Sequence, residues 1–78
     1  MPEHKPDQVL DARGLTCPMP ILKTKKVLKD MQPGQVLEIM GTDVGTRNDM
    51  PAFTSRSGDE YLGEEQREGY ISFFVKKS

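Results

Sequence analysis

Apolar positions along the chain alternate between a two-residue and a helical spacing, and six elements follow from those changes of period. Residues 8–11, Gln8-Val9-Leu10-Asp11, are a short extended stretch closed by the turn-prone Arg13-Gly14. Over residues 18–31 the spacing becomes helical. Ile21, Leu22, Leu28 and Met31, with Thr24 and Val27 alongside, share one face, and Lys23, Lys26, Lys29 and Asp30 lie largely opposite. Thr16 or Cys17 is placed to cap this helix. Pro18 suits its first position, where the missing N–H has no partner anyway, and Pro20 still falls in the first turn. Pro33-Gly34 ends it.

Residues 35–40 read as a strand with Leu37 and Ile39 on one side and Val36 and Met40 on the other. Two partly apolar faces suit an inner strand, and Gly41-Thr42-Asp43 then reads as a turn. A second, weaker helix spans residues 46–57. Its start is open: with Thr46 as the cap, Pro51 loses a bond in the second turn, whereas with Asp49 as the cap Pro51 is harmless. Gly58 is its stop. Residues 60–66 form a charged outer strand, Arg67-Glu68-Gly69 a hairpin turn, and residues 70–75 a strand with Ile71, Phe73 and Val75 on one face.

A right-handed strand–helix–strand crossover makes the first two strands parallel, and the terminal hairpin adds an antiparallel pair. The apolar stripes are buried most simply in an α/β two-layer sandwich of β-α-β-α-β-β order, with two helices on one face of a four-stranded mixed sheet. Phe53, Phe73 and Phe74 are expected in its core. The division expected along the chain is a flexible lead-in over residues 1–7 and one domain over residues 8–78.

The 78 residues fit one small domain with little room for an enclosed cavity, which favours chemistry by an exposed group or a binding surface. A formal net charge of -1 gives no global pull toward nucleic acid or membrane. No apolar run approaches the roughly 18 residues of a membrane span, and the first residues lack the apolar core of a signal peptide. One cysteine makes no internal disulfide, so the expected location is cytoplasmic. Cys17 and the single histidine, His4, do not make a metal site, and neither a metal nor another cofactor is expected.

Candidate chemistry therefore centres on Cys17. It follows the first strand and stands where the first helix begins, a usual meeting place of ligand and protein in open α/β sheets. Unpaired N–H groups and aligned peptide dipoles stabilise a thiolate there. A free thiol titrates near ~8.5, and stabilisation by roughly 0.5–2 kcal/mol lowers that by about 0.4–1.5. Arg13 adds to this if its side chain folds back. Pro18 and Pro20 stiffen the segment. The bland alternative is a buried, inert core cysteine, against which the flanking Gly14 and prolines predict a surface turn.

The run Leu10-Asp11-Ala12-Arg13-Gly14-Leu15-Thr16-Cys17-Pro18-Met19-Pro20 resembles the signature of the TusA (SirA-like) family of sulfur carriers. Met31-Gln32-Pro33-Gly34 and Asp49-Met50-Pro51-Ala52-Phe53 extend the likeness, as does the order of elements. The resemblance implies that Cys17 carries sulfur as a persulfide, with Gly14, Pro18 and Pro20 shaping its loop, in a sulfurtransferase acting mainly as a carrier. It implies a donor protein, such as a cysteine desulfurase or a rhodanese-like protein, and an acceptor in a sulfur relay. Relatives serve tRNA thiolation, molybdenum cofactor assembly or sulfur oxidation. Several relatives carry a second cysteine where this chain has Thr54, which argues against a redox pair within the chain.

Lys23 and Lys26, with Lys25 and Lys29, form a basic patch for acidic partners or simply a solvated face. Asp43, Arg47 and Asp49 are placed near the site by topology. A monomer without direct nucleic-acid binding suits a carrier that meets successive partners. The competing class is a regulatory or RNA- or protein-interaction module on the same fold, which would not depend on the thiol.

Overall fold

The alternation of periods is realised in a computed structural model that describes residues 6–16 and 18–78. Its elements are β1 (Gln8–Ala12), α1 (Met19–Lys29), β2 (Val36–Gly41), α2 (Thr46–Ser57), β3 (Glu60–Gln66) and β4 (Ile71–Lys76). The strands make one mixed sheet in the order β1-β2-β4-β3. β1 runs parallel to β2 with Leu10 opposite Ile39, and β4 lies antiparallel to both β2 and β3 with Phe73 opposite Ile39 and Glu64. The α/β two-layer sandwich is thus as expected, and β2 is an inner strand.

Side chains on one face of this sheet meet both helices. Leu37, Ile39, Ile71, Phe73 and Val75 join Leu28 and Met31 from the first helical segment and Met50 and Phe53 from α2 in a single core. Burial of apolar surface here, at about 25 cal/mol per Å², is the main force holding helices to sheet. The other face is managed differently. Alternation places Val9, Glu38 and Phe74 in one row across it and Asp11, Met40, Ser72 and Glu65 in the next. Ser72 is fully buried and donates to Glu38 Oε2 at 2.6 Å, while Arg67 Nε donates to Ser72 Oγ at 3.2 Å. Arg67 also pairs with Glu65 at 2.9 Å. Each buried polar group in this cluster has a partner, so the face needs no second layer of helices. Phe74 is buried on this side, not in the main cluster where Phe53 and Phe73 lie.

Several boundaries and one face differ from expectation. α1 stops at Lys29 rather than Met31 because the N–H groups of Asp30 and Met31 turn back to Val27 and Leu28, tightening the last turn. Met31 stays in the core all the same. Leu22 is not on the apolar face: it is 53% exposed, whereas Thr24 is fully buried. At about 100° per residue Leu22 lies about 120° from Leu28, and Thr24 only about 40°. Thr24 can occupy the buried face because its hydroxyl donates to the Pro20 carbonyl at 2.7 Å. Gly41 belongs to β2 rather than to a turn, since it pairs with Ala12 and Ile71. β4 begins at Ile71, one residue after Tyr70. α2 starts at Thr46 with Gly45 as its cap, so neither Thr46 nor Asp49 is the capping residue and Pro51 lies inside the helix.

Candidate functional site at the carboxyl ends of β1 and β2

Parallel pairing of β1 with β2 brings Ala12 level with Gly41, so both strands deliver the chain to the same edge of the sheet. From that edge the β1–α1 loop leads to α1 and residues 42–45 lead to α2. Both helix amino termini, with their partial positive charge, therefore open at one end of the molecule. The β3–β4 turn lies at this end too, since Gln66 and Ile71 complete the same row.

Local bonds shape the β1–α1 loop. Gly14 takes φ 84°, a left-handed conformation that other residues adopt at a cost, and Leu15 N donates to the Ala12 carbonyl at 3.2 Å. Gly14 N donates to Thr42 Oγ1 at 2.9 Å, tying this loop to the segment after β2. Met19 N donates to the Thr16 carbonyl at 2.9 Å and Leu22 N to the Pro18 carbonyl at 3.0 Å. Those bonds make Pro18 the capping residue of α1, with Pro20 at its second position. Thr16, expected as a possible cap, makes no side-chain capping bond. Cys17, the other expected cap and the central candidate, lies outside the described residues. The chain places it between Thr16 and Pro18, immediately before the helix.

Arg13 is held by Asp11 and Tyr70. Its guanidinium donates to both carboxylate oxygens of Asp11 at 2.9 Å and sits over the Tyr70 ring, 5.2 Å from the centroid. The Arg13 hydrogen bonds hold the Asp11 carboxyl down to about 2. This arrangement pins the start of the loop to the hairpin. Lys23 and Lys26 are exposed on α1, as are Lys25 and Lys29. Of the residues after β2, Asp43 accepts from Gly45 N, and Arg47 pairs with Glu64 at 2.7 Å, which draws it toward β3. Asp49 lines a shallow groove with Pro18 and so does border the site.

Sequence reading missed four contributors. Thr42, Tyr70 and Arg56 reach the site or its groove only through strand register and helix packing. Val44 is 74% exposed at this end, and with Met19 and Leu22, at 42% and 53%, it supplies uncovered apolar surface on the segments that flank Cys17.

Comparison with known proteins agrees with this architecture. Residues 8–77 match the family model described as Sulfurtransferase TusA. The chain belongs to the TusA family. The sulfur carrier protein TusA of Allochromatium vinosum is 46% identical over 72 residues, covering 92% of this chain and 95% of that protein. The Pseudomonas aeruginosa sulfur carrier protein TusA is 34% identical over 74 residues, covering 95% and 94%. YrkF of Bacillus subtilis is 51% identical over 69 residues, but the match spans only 37% of its length. Among solved structures, a SirA-like protein from Desulfitobacterium hafniense superposes with a TM-score of 0.73 at 26% identity, over 88% of this chain and 95% of that one. Thr54 is buried and its hydroxyl donates to the Met50 and Pro51 carbonyls. Among the described residues no helix is long and apolar enough to cross a membrane.

Proposed function

We propose that this TusA-family protein is a sulfur carrier in which Cys17 accepts sulfane sulfur as a persulfide and passes it to an acceptor protein. The observation that supports this most directly is that Pro18, Met19 and Pro20 open α1, so that Cys17 precedes its capping residue in the chain. There, the helix dipole favours an anionic sulfur and the loop is held by Gly14 and Thr42. The Cys17 thiolate attacks the outer sulfur of a donor persulfide. The donor sulfur–sulfur bond breaks and its electron pair leaves on the donor thiolate, while a new sulfur–sulfur bond forms on Cys17. An acceptor thiolate repeats the exchange at the terminal sulfur. No oxidant or reductant is consumed, and a thiol titrating near ambient pH is well suited to both steps.

Donor and acceptor are sulfur-relay proteins, the donor a cysteine desulfurase or a rhodanese-like protein. Pro18 and Pro20 limit the loop's freedom, and Lys23 and Lys26 offer positive charge to acidic partner surfaces. Protein incubated with a cysteine desulfurase and cysteine should gain the mass of one sulfur, lose it on reduction, and gain none as Cys17→Ser. An intact chain that takes up no sulfur from several donors, and whose thiol resists alkylation, would sink the proposal in favour of an interaction module.

A further inference from the structure

The loop before α1 and the loop before α2 are joined by the hydroxyl of Thr42. Ala12 and Gly41 are paired, so the chain leaves β1 and β2 side by side, and Thr42 is the first residue after β2. Gly14 N donates to Thr42 Oγ1 at 2.9 Å, across 28 positions of sequence. The bonds from Leu15 N to the Ala12 carbonyl and from Met19 N to the Thr16 carbonyl are local, and hold turns without fixing where the loop sits on the molecule.

The two ends of this bond differ in stiffness. Gly14, at φ 84°, has no Cβ to restrict it and can reach several backbone regions at little cost. Thr42 follows Gly41, which pairs with both Ala12 and Ile71, and precedes Asp43, whose carbonyl accepts from Thr46 N at 3.1 Å. Its β-branched side chain is also stiff at χ1. A firm acceptor thus selects one conformation of a permissive glycine. Gly14 and Thr42 are both exposed, so the bond adds little to global stability. Loops of this kind open at small cost, and there one bond decides how much of the population is ordered.

We propose that Thr42 is a positioning residue for sulfur transfer, holding Gly14 and with it the segment that leads to Cys17, three residues further along the chain. The proposal rests on the carrier reading of Cys17. Thr42 acts through Gly14 and takes no part in the exchange itself.

Thr42→Val keeps the shape of the side chain and removes the acceptor, leaving Gly14 N–H to water. Thr42→Ser keeps the acceptor on a freer side chain. Amide–water exchange measured by NMR should be about 2–10-fold faster at Gly14 in Thr42→Val, with Ile39 and Phe73 unchanged. Single-turnover sulfur uptake from a persulfide-loaded cysteine desulfurase should slow by at least about 2-fold, and Thr42→Ser should recover it. The pH profile of iodoacetamide alkylation should move to higher pH in Thr42→Val and return in Thr42→Ser. Unchanged exchange at Gly14 overturns the proposal. So does faster exchange with uptake and alkylation as in the wild type, or a serine variant as slow as the valine one. Wild-type protein that takes up no sulfur sinks the carrier reading instead, and the alkylation profile then decides whether Thr42 still governs Cys17.

Discussion

Replacing Gly14 with alanine separates the cost of a backbone conformation from its consequence for the thiol three residues further along the chain. Gly14 has φ 84°, and a Cβ built there meets nothing within 4 Å, so the substitution introduces no clash. What remains is the left-handed conformation itself, at about 1–2 kcal/mol for an L-residue. The stiffer unfolded chain offsets about 0.4–1 kcal/mol of that. A net loss near 1 kcal/mol should lower Tm by about 4–8 °C in a domain of this size. Gly34, at φ 91° with equally open space but at the other end of the sheet, is the control, and Gly34→Ala should cost the same. The two variants should part company at Cys17. If Gly14 aims residue 17 at the start of α1, losing about 0.5–1 kcal/mol of helix-terminus stabilisation cuts the thiolate fraction by about 2–5-fold. Iodoacetamide alkylation at neutral pH should slow by up to that factor in Gly14→Ala and stay unchanged in Gly34→Ala. Equal destabilisation with equal alkylation would confine Gly14 to a folding role. No destabilisation in either variant would refute the conformational reasoning altogether.

Two other outcomes test the surroundings. The Asp11 carboxyl, observed by NMR, should titrate at about 2 and move back toward 3.8 in Arg13→Ala. Because its folded value is lowered, its contribution to stability is present above 3.8 and is lost as pH falls from there to about 2. Added salt should weaken it, since the pair is exposed. Thr46 is fully buried and its hydroxyl finds no hydrogen-bond partner among the described residues, so Thr46→Val should raise stability by about 1 kcal/mol in urea unfolding. A loss of stability instead would reveal a partner for that hydroxyl.

Local signals in the chain were enough for the elements and for singling out the motif around Cys17. The helical spacing of Ile21, Thr24 and Leu28, the alternation of Ile71, Phe73 and Val75, and the stops at Pro33-Gly34 and Gly58 each depend on residues a few positions apart. Their physics is complete within the segment. The motif around Cys17 was legible for the same reason, because Gly14, Pro18 and Pro20 restrict the backbone wherever they stand. Tertiary structure alone decided what crosses from one segment to another. Insertion of β4 between β2 and β3, the Thr42 bond to Gly14 and the seat of Arg13 between Asp11 and Tyr70 all depend on strand register, which no short stretch contains. Leu22 shows the same limit from the other side. Its hydrophobicity argued for the core, yet the direction of the sheet from α1 put Thr24 inside and left Leu22 on the surface.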